Sequence, residues 1–405
     1  MTPPERPLGM MEQALRALAR RPQPLHFAMV AVVSGGPDEA GWRDGLARVQ
    51  RRHPLLRAAV VPGADGPEFR DLPGVPVPLA VSPAGDWLPE LVAEVSTPFP
   101  PDPAPLLRVR LLPGRRRSTL ILTGHTATDA LSVAVVLRDL LRAAAGRELP
   151  GETKALPMEH YLMNGGPVPA RPEPQPAPAP AAMRPDSPAI PPYVDRLAFG
   201  RELTELVCDR AHQEGVTVHT VLAAALSAVM HRLRPGPDDR ELRFGSQVHL
   251  RRTLPEIGDS VGFYSIPVVG PSPRRDDGLW ASARRFKDDL DIFRQPTRMA
   301  EALARLGEIG RALPDRDDPA GWVRAIAQTL AYDIVLTNLG ALPIPLRYGP
   351  LRLDEMWGPA GLVGFANEHV VGVNTVDGNL TMLYTSREPL PGLLTATRSL
   401  IAAEM

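Results

Sequence analysis

The residues best suited to chemistry lie in one short segment, Gly124-His125-Thr126-Ala127-Thr128-Asp129-Ala130. An imidazole with an ordinary pKa near 6.5 accepts a proton at neutral pH and returns it to a leaving group, so His125 is suited to general-base work on a hydroxyl. A carboxylate four residues on, Asp129, could orient that ring or turn away, pair with an arginine and stiffen the loop. Plainer roles exist for both. His125 could be a satisfied core histidine at a strand end, and Asp129 could simply cap the helix that follows.

The flanking sequence supplies the elements that would position this segment. Residues 118–123 form a short apolar run that reads as a strand, joined to a second run at 106–112 through Pro113-Gly114 as a hairpin. Residues 129–145 carry Leu131, Val135, Leu137, Leu140 and Leu141 at helical spacing, with Gly146 as a natural C-cap. A strand therefore runs into a helix through the candidate segment, a place where functional groups are often held. Upstream, 25–33 reads as a strand, and 38–53 as a helix with Trp42, Leu46 and Val49 on one face, stopped by Pro54.

Between Gly165 and Pro192 there are eleven prolines, which remove backbone donors and favour polyproline II, so the stretch reads as a stiff linker. The expected organisation is a domain over 1–165, a linker over 166–192 and a second domain over 193–405. In the second part, helices are expected at 201–214, from the cap Thr217 to about 233, at 278–293, at 299–311 and at 392–403. Strands are expected at 242–249, 265–269, 334–337, 370–374 and 380–385. The fold class is α+β: strands and helices mix in both halves without a regular βαβ rhythm or a glycine-rich phosphate loop, which argues against a dinucleotide fold.

Composition narrows the function classes. A formal net charge of −1 gives no global field to gather nucleic acid or anionic membrane, so neither is an expected partner; the Arg115-Arg116-Arg117 cluster could still act locally, or be a solvated hairpin tip. The single cysteine, Cys208, excludes an intrachain disulfide framework and a cysteine-rich zinc site, and suits a reducing interior. The first 24 residues hold no apolar signal region, and no stretch is long and apolar enough for a spanning helix, so a cytoplasmic location is expected.

Five segments together resemble the condensation-domain and chloramphenicol-acetyltransferase superfamily. GHTATDALSVAVVLRDLL is similar to its H-H-x-x-x-D-G motif and following helix; GLARVQRRHPLLRAAV, FGSQVHLRRTL and DSVGFYSIPV resemble other characteristic stretches. LTNLGALPIP looks like a segment of polyketide-associated acyltransferases of the phthiocerol dimycocerosyl transferase type. The resemblance implies two chloramphenicol-acetyltransferase-like domains in a V with a central tunnel. It implies that His125 is the catalytic base, and that Asp129 faces away from substrate in a salt bridge with an arginine. Arg251 is the best match for that arginine, with Arg252 the alternative should the strand register shift by one. Asn338 would help hold the tunnel, polarise a carbonyl, or form a turn. LDEMWGPAG, at 353–361, would be a latch or a surface turn.

The implied activity is O-acyl transfer from a coenzyme A or acyl-carrier-protein thioester to a small-molecule alcohol such as a polyketide or lipid hydroxyl, with no bound cofactor or metal. A monomer is expected, since two fused halves could complete the site. Two departures from the motif matter: Gly124 replaces its first histidine and Ala130 its glycine. They keep a second reading open, a non-catalytic homologue that binds a carrier protein or a polyketide chain, and a third, amide formation, differs only in the nucleophile.

Overall fold

The computed structural model describes residues 5–21, 25–64, 66–100, 104–124, 128–163, 190–234, 242–273, 278–313, 318–342 and 344–405. His125, Thr126 and Ala127 lie outside the described residues, as does most of the proline-rich stretch.

Up to residue 163 the elements are β1 (Arg6–Pro7), α1 (Met10–Ala19), β2 (Phe27–Ser34), α2 (Glu39–Arg52), β3 (Ala58–Gly63) and β4 (Gly66–Asp71). They continue with β5 (Leu79–Val81), α3 (Trp87–Ser96), β6 (Leu107–Leu112), β7 (Arg117–Gly124), α4 (Ala130–Ala144) and α5 (Met158–Leu162). From residue 190 come β8 (Tyr193–Ala198), α6 (Arg201–Gln213), α7 (Val218–Leu233), β9 (Arg243–His249), β10 (Ser265–Pro271), α8 (Leu279–Phe293), α9 (Pro296–Ala312) and α10 (Pro319–Thr329). The remainder is β11 (Ile334–Ala341), β12 (Arg347–Tyr348), β13 (Leu351–Gly361), β14 (His369–Val376), β15 (Asn379–Ser386) and α11 (Leu393–Ala402).

Two six-stranded mixed sheets carry the fold, in the orders β12-β13-β2-β7-β6-β5 and β10-β9-β11-β14-β15-β8. The sequence of β2, FAMVAVVS, is apolar at nearly every position because both faces of its sheet are covered. Met29, Ala31 and Val33 face α2 and α4, packing with Leu46, Val49, Val133 and Leu137. Ala28, Val30 and Val32 face the other way, against Leu91 of α3, Trp357 and Leu383. Each valine, leucine or methionine among them, fully buried, contributes about 1.5–3 kcal/mol.

The first sheet is not made by the first half alone. β13, from far beyond the proline-rich stretch, pairs antiparallel with β2, with Met356 opposite Ala31 and Trp357 opposite Val30. The segment LDEMWGPAG is thus strand throughout and not a surface turn. Side chains of the second sheet bind the same strand: Thr381 Oγ1 donates to the Met356 carbonyl at 2.9 Å, and Asn374 Nδ2 to that of Gly358 at 3.3 Å. Gly372 of β14 allows this approach, since a Cβ there would fall 2.2 Å from the Pro359 carbonyl oxygen.

Candidate functional site

Helix α4 starts where it does because Asp129 caps it. Its Oδ1 accepts from the Ser132 amide at 2.6 Å, satisfying a donor that the first turn would otherwise leave free. The same carboxylate is fully buried and collects three more donors from the second half: the Tyr264 amide at 2.8 Å, His249 Nε2 at 3.2 Å and Arg251 Nη1 at 3.3 Å. Burial alone would raise its pKa; the charge of Arg251 first, then His249 and the Ser132 amide, hold it far below the usual carboxylate range. Two of the roles considered for Asp129, helix cap and arginine partner, are thus filled at once, and its orienting of the His125 ring falls on a residue outside those described.

Arg251 lies just beyond β9, in a 3-10 turn over 250–252, and not within a strand. Its guanidinium also donates through Nη2 to Ser132 Oγ at 2.9 Å and stacks over the Tyr264 ring at 5.0 Å. Arg252, the alternative partner, points elsewhere, toward Gly340. Ser132 Oγ donates to the Gly262 carbonyl at 2.6 Å, and the Asp129 amide donates to the same oxygen at 3.1 Å. Gly262 has to be glycine, because a Cβ would meet the Tyr264 ring at 2.6 Å. This gives the resemblance of HLRR and VGFY a physical meaning: both segments clamp the start of α4.

A second buried network fixes the other end of α4. Asp139 accepts from Arg52 Nε at 2.8 Å, His53 Nε2 at 3.0 Å and Arg138 Nε at 3.0 Å. Arg138 reaches on to Asp259 through paired bonds of 2.9 and 2.8 Å. The RRHPLLR segment therefore serves to hold α2, α4 and the 255–262 turn together.

Between these elements is a cavity of about 210 Å³. One wall is a face of the second sheet, read off by alternation: Gln247 and His249 of β9, Ser265 and Pro267 of β10, Val335, Thr337 and Leu339 of β11. The opposite wall is Met11, Ala14, Leu15 and Leu18, one stripe of α1 at helical spacing. Gly124, Thr128 and Asp129 line it too, so the residues on both sides of 125–127 border the chamber. Asn338 also lines it, but its Oδ1 accepts from the Gly340 amide at 2.8 Å in a local turn, which leaves only Nδ2 as a free-standing donor type.

Gly124 is packed tightly. A Cβ on it would come 2.5 Å from Thr128 Oγ1 and 3.1 Å from the Phe27 ring, so no side chain fits without movement. Sequence reasoning passed over His249, Ser132, Tyr264 and the α1 stripe. Only α1 was plainly accessible to it, from the spacing of apolar residues at 11, 14, 15 and 18.

Backbone comparison identifies the architecture. The first condensation domain of the CDA synthetase superposes with a TM-score of 0.67 at 16% identity, covering 98% of this chain and 95% of that one. The chain has the condensation-domain fold. Polyketide synthase associated protein 5 from Mycobacterium tuberculosis matches with a TM-score of 0.64 at 16% identity, covering 100% of this chain and 98% of that one. SgcC5 protein from Streptomyces globisporus, solved with a naphthyl-substituted ethanediol and sucrose, matches with a TM-score of 0.63 at 17% identity, covering 98% of each. No protein-family model matches the sequence, and no curated protein does. The resemblance drawn from the five sequence segments and the likeness of the backbone agree. Among the described residues no single helix is long and apolar enough to cross a membrane.

Proposed function

We propose that this protein is an O-acyltransferase, moving an acyl group from a coenzyme A or carrier-protein thioester to an alcohol. The observation that carries the reading is the apolar chamber lined by the second sheet and α1 and bordered by Gly124, Thr128 and Asp129, the neighbours of His125. The two halves would form a V with a tunnel between them, admitting donor and acceptor from opposite faces. The condensation-domain fold supports this, as does the ethanediol held by one structural relative, a compound carrying two hydroxyls.

In the proposed reaction His125 takes the proton of the acceptor hydroxyl as its oxygen bonds to the thioester carbonyl carbon. The carbonyl π pair moves to oxygen, giving a tetrahedral oxyanion; its collapse breaks the C–S bond, and the imidazolium returns the proton to the departing thiolate. Ester and thiol are the products, with no acyl-enzyme. Asn338 Nδ2 is the candidate donor to the oxyanion. Asp129, saturated by structural donors, holds the loop and takes no proton.

A second reading, a binding protein without turnover, is favoured by Gly124, where the motif's first histidine has no room. Mass spectrometry of products from a panel of acyl thioesters and alcohols separates the two. Ester formation by wild type and its loss in His125→Ala, with the melting temperature kept, is the result expected. Turnover retained in His125→Ala would remove the base from His125, and no ester from any pair would leave the binding reading.

A further inference from the structure

His26 precedes β2, one residue before Phe27, the cross-strand partner of Gly124, and it lines the cavity. Its Nε2 lies 3.0 Å from the backbone carbonyl of Glu94, near the end of α3. A carbonyl can only accept, so Nε2 carries the hydrogen. In a neutral ring that leaves Nδ1 as a pure acceptor, and Nδ1 is buried without any hydrogen-bond partner. Burial, with Arg108 close by, pushes the ring's pKa down to about 4, so at neutral pH it stays uncharged. On the facing sheet, Gln247 lines the same cavity, and its Oε1 is likewise buried and unpartnered. Buried acceptors are nearly always paired in native proteins, and two orphans just behind the lining of one apolar chamber, on side chains that form part of that lining, call for a reason.

We propose that His26 Nδ1, seconded by Gln247 Oε1, accepts hydrogen bonds from a donor group carried on an otherwise apolar ligand in this cavity. The wall of Met11, Leu15, Leu18 and Phe365 holds the hydrocarbon, and the two acceptors select chains bearing a hydroxyl or an amide N–H. Neither orphan is open to water, so the ligand reaches each once an apolar neighbour changes rotamer, the His26 ring staying on the Glu94 carbonyl. His26 is thereby a specificity residue. A ring held neutral accepts a hydrogen bond and resists taking the proton, which distinguishes it from a base.

The proposal deepens the acyltransferase reading by naming what its ligand carries, but its test needs only binding. Titration calorimetry would compare 1-octanol with octyl methyl ether, and N-butylhexanamide with its N-methyl derivative; each pair differs chiefly in the donor. Wild type is expected to prefer the donor member of at least one pair about three- to tenfold, the worth of one net hydrogen bond. The pair that discriminates tells hydroxyl from amide. His26→Phe is expected to abolish the preference, and His26→Asn, whose Oδ1 can replace Nδ1, to keep part of it. Equal affinity within both pairs for wild type overturns the proposal without any variant having to fold, and so does preference undiminished in a folded His26→Phe. Donor preference in a wild type that forms no ester from any thioester and alcohol counts against the acyltransferase reading alone.

Discussion

Arg251 Nη1 lies 3.3 Å from Asp129 Oδ1, joining a turn after β9 to the cap of α4 across 122 positions of sequence. Both side chains are nearly sealed from water, so the pair works in a medium where an abandoned charge is costly. Arg251→Met should lower unfolding free energy by about 2–3 kcal/mol, because Asp129 keeps its other three donors. In a double-mutant cycle with Asp129→Asn, denaturant titrations should give a loss smaller than the sum of the single losses. Strict additivity would mean that the two side chains do not act as a pair.

Gly124→Ala should destabilise by about 1–3 kcal/mol through overpacking, since Thr128 Oγ1 and Phe27 occupy the space its methyl needs. Gly124→Ala combined with Thr128→Ala should recover part of that loss in thermal melts. A stable, unchanged Gly124→Ala protein would contradict the packing described for this strand end.

Three histidines give the protein an acid-side weakness with a definite sign. Burial holds His26 and His369 at about 4 and His219 at about 3, whereas in the unfolded chain each titrates near 6.5. Between those values the unfolded state binds protons that the folded state refuses, so stability is complete above pH 6.5 and falls as pH drops toward 4. The limit is roughly 3 kcal/mol for His26 and His369 and roughly 5 kcal/mol for His219. Denaturation midpoints measured from pH 7 to pH 4.5 should fall steadily, and His219→Gln or His369→Gln should flatten the slope; a flat wild-type profile would contradict it.

Ala14 is a small residue in the α1 wall of the cavity. Ala14→Leu should push methyl groups into the chamber and shorten the longest chain accepted, at about 0.8 kcal/mol, or some fourfold, for each methylene displaced. Relative kcat/KM across a series of acyl lengths should shift toward short donors. An unshifted profile would place the acyl chain elsewhere.

Much of the framework was legible because it rests on local rules. The pattern of 129–145 and the glycine after it foretold α4, which spans Ala130–Ala144 with Asp129 as its cap and Gly146 in a left-handed conformation at φ 73°. Helix α2 and strands β6, β7, β9 and β15 fall within a residue or two of their expected bounds for the same reason. What stayed hidden was long-range. Nothing local in LDEMWGPAG says that it joins a sheet begun some 320 residues earlier, and nothing local in His249 or Tyr264 says that both converge on Asp129. The Asp129–Arg251 pairing was reachable only through the resemblance. The orphan nitrogen of His26 requires coordinates, because a sequence shows which polar groups exist and not which are left without partners.

The insertion of β13 beside β2 makes the two halves mutually dependent. A chain severed between 163 and 190 would leave the first fragment with a bare hydrophobic strand margin along β2, an invitation to clumping, until the second fragment returned residues 351–361 to close it. Cut pieces should therefore fail separately yet mend on mixing.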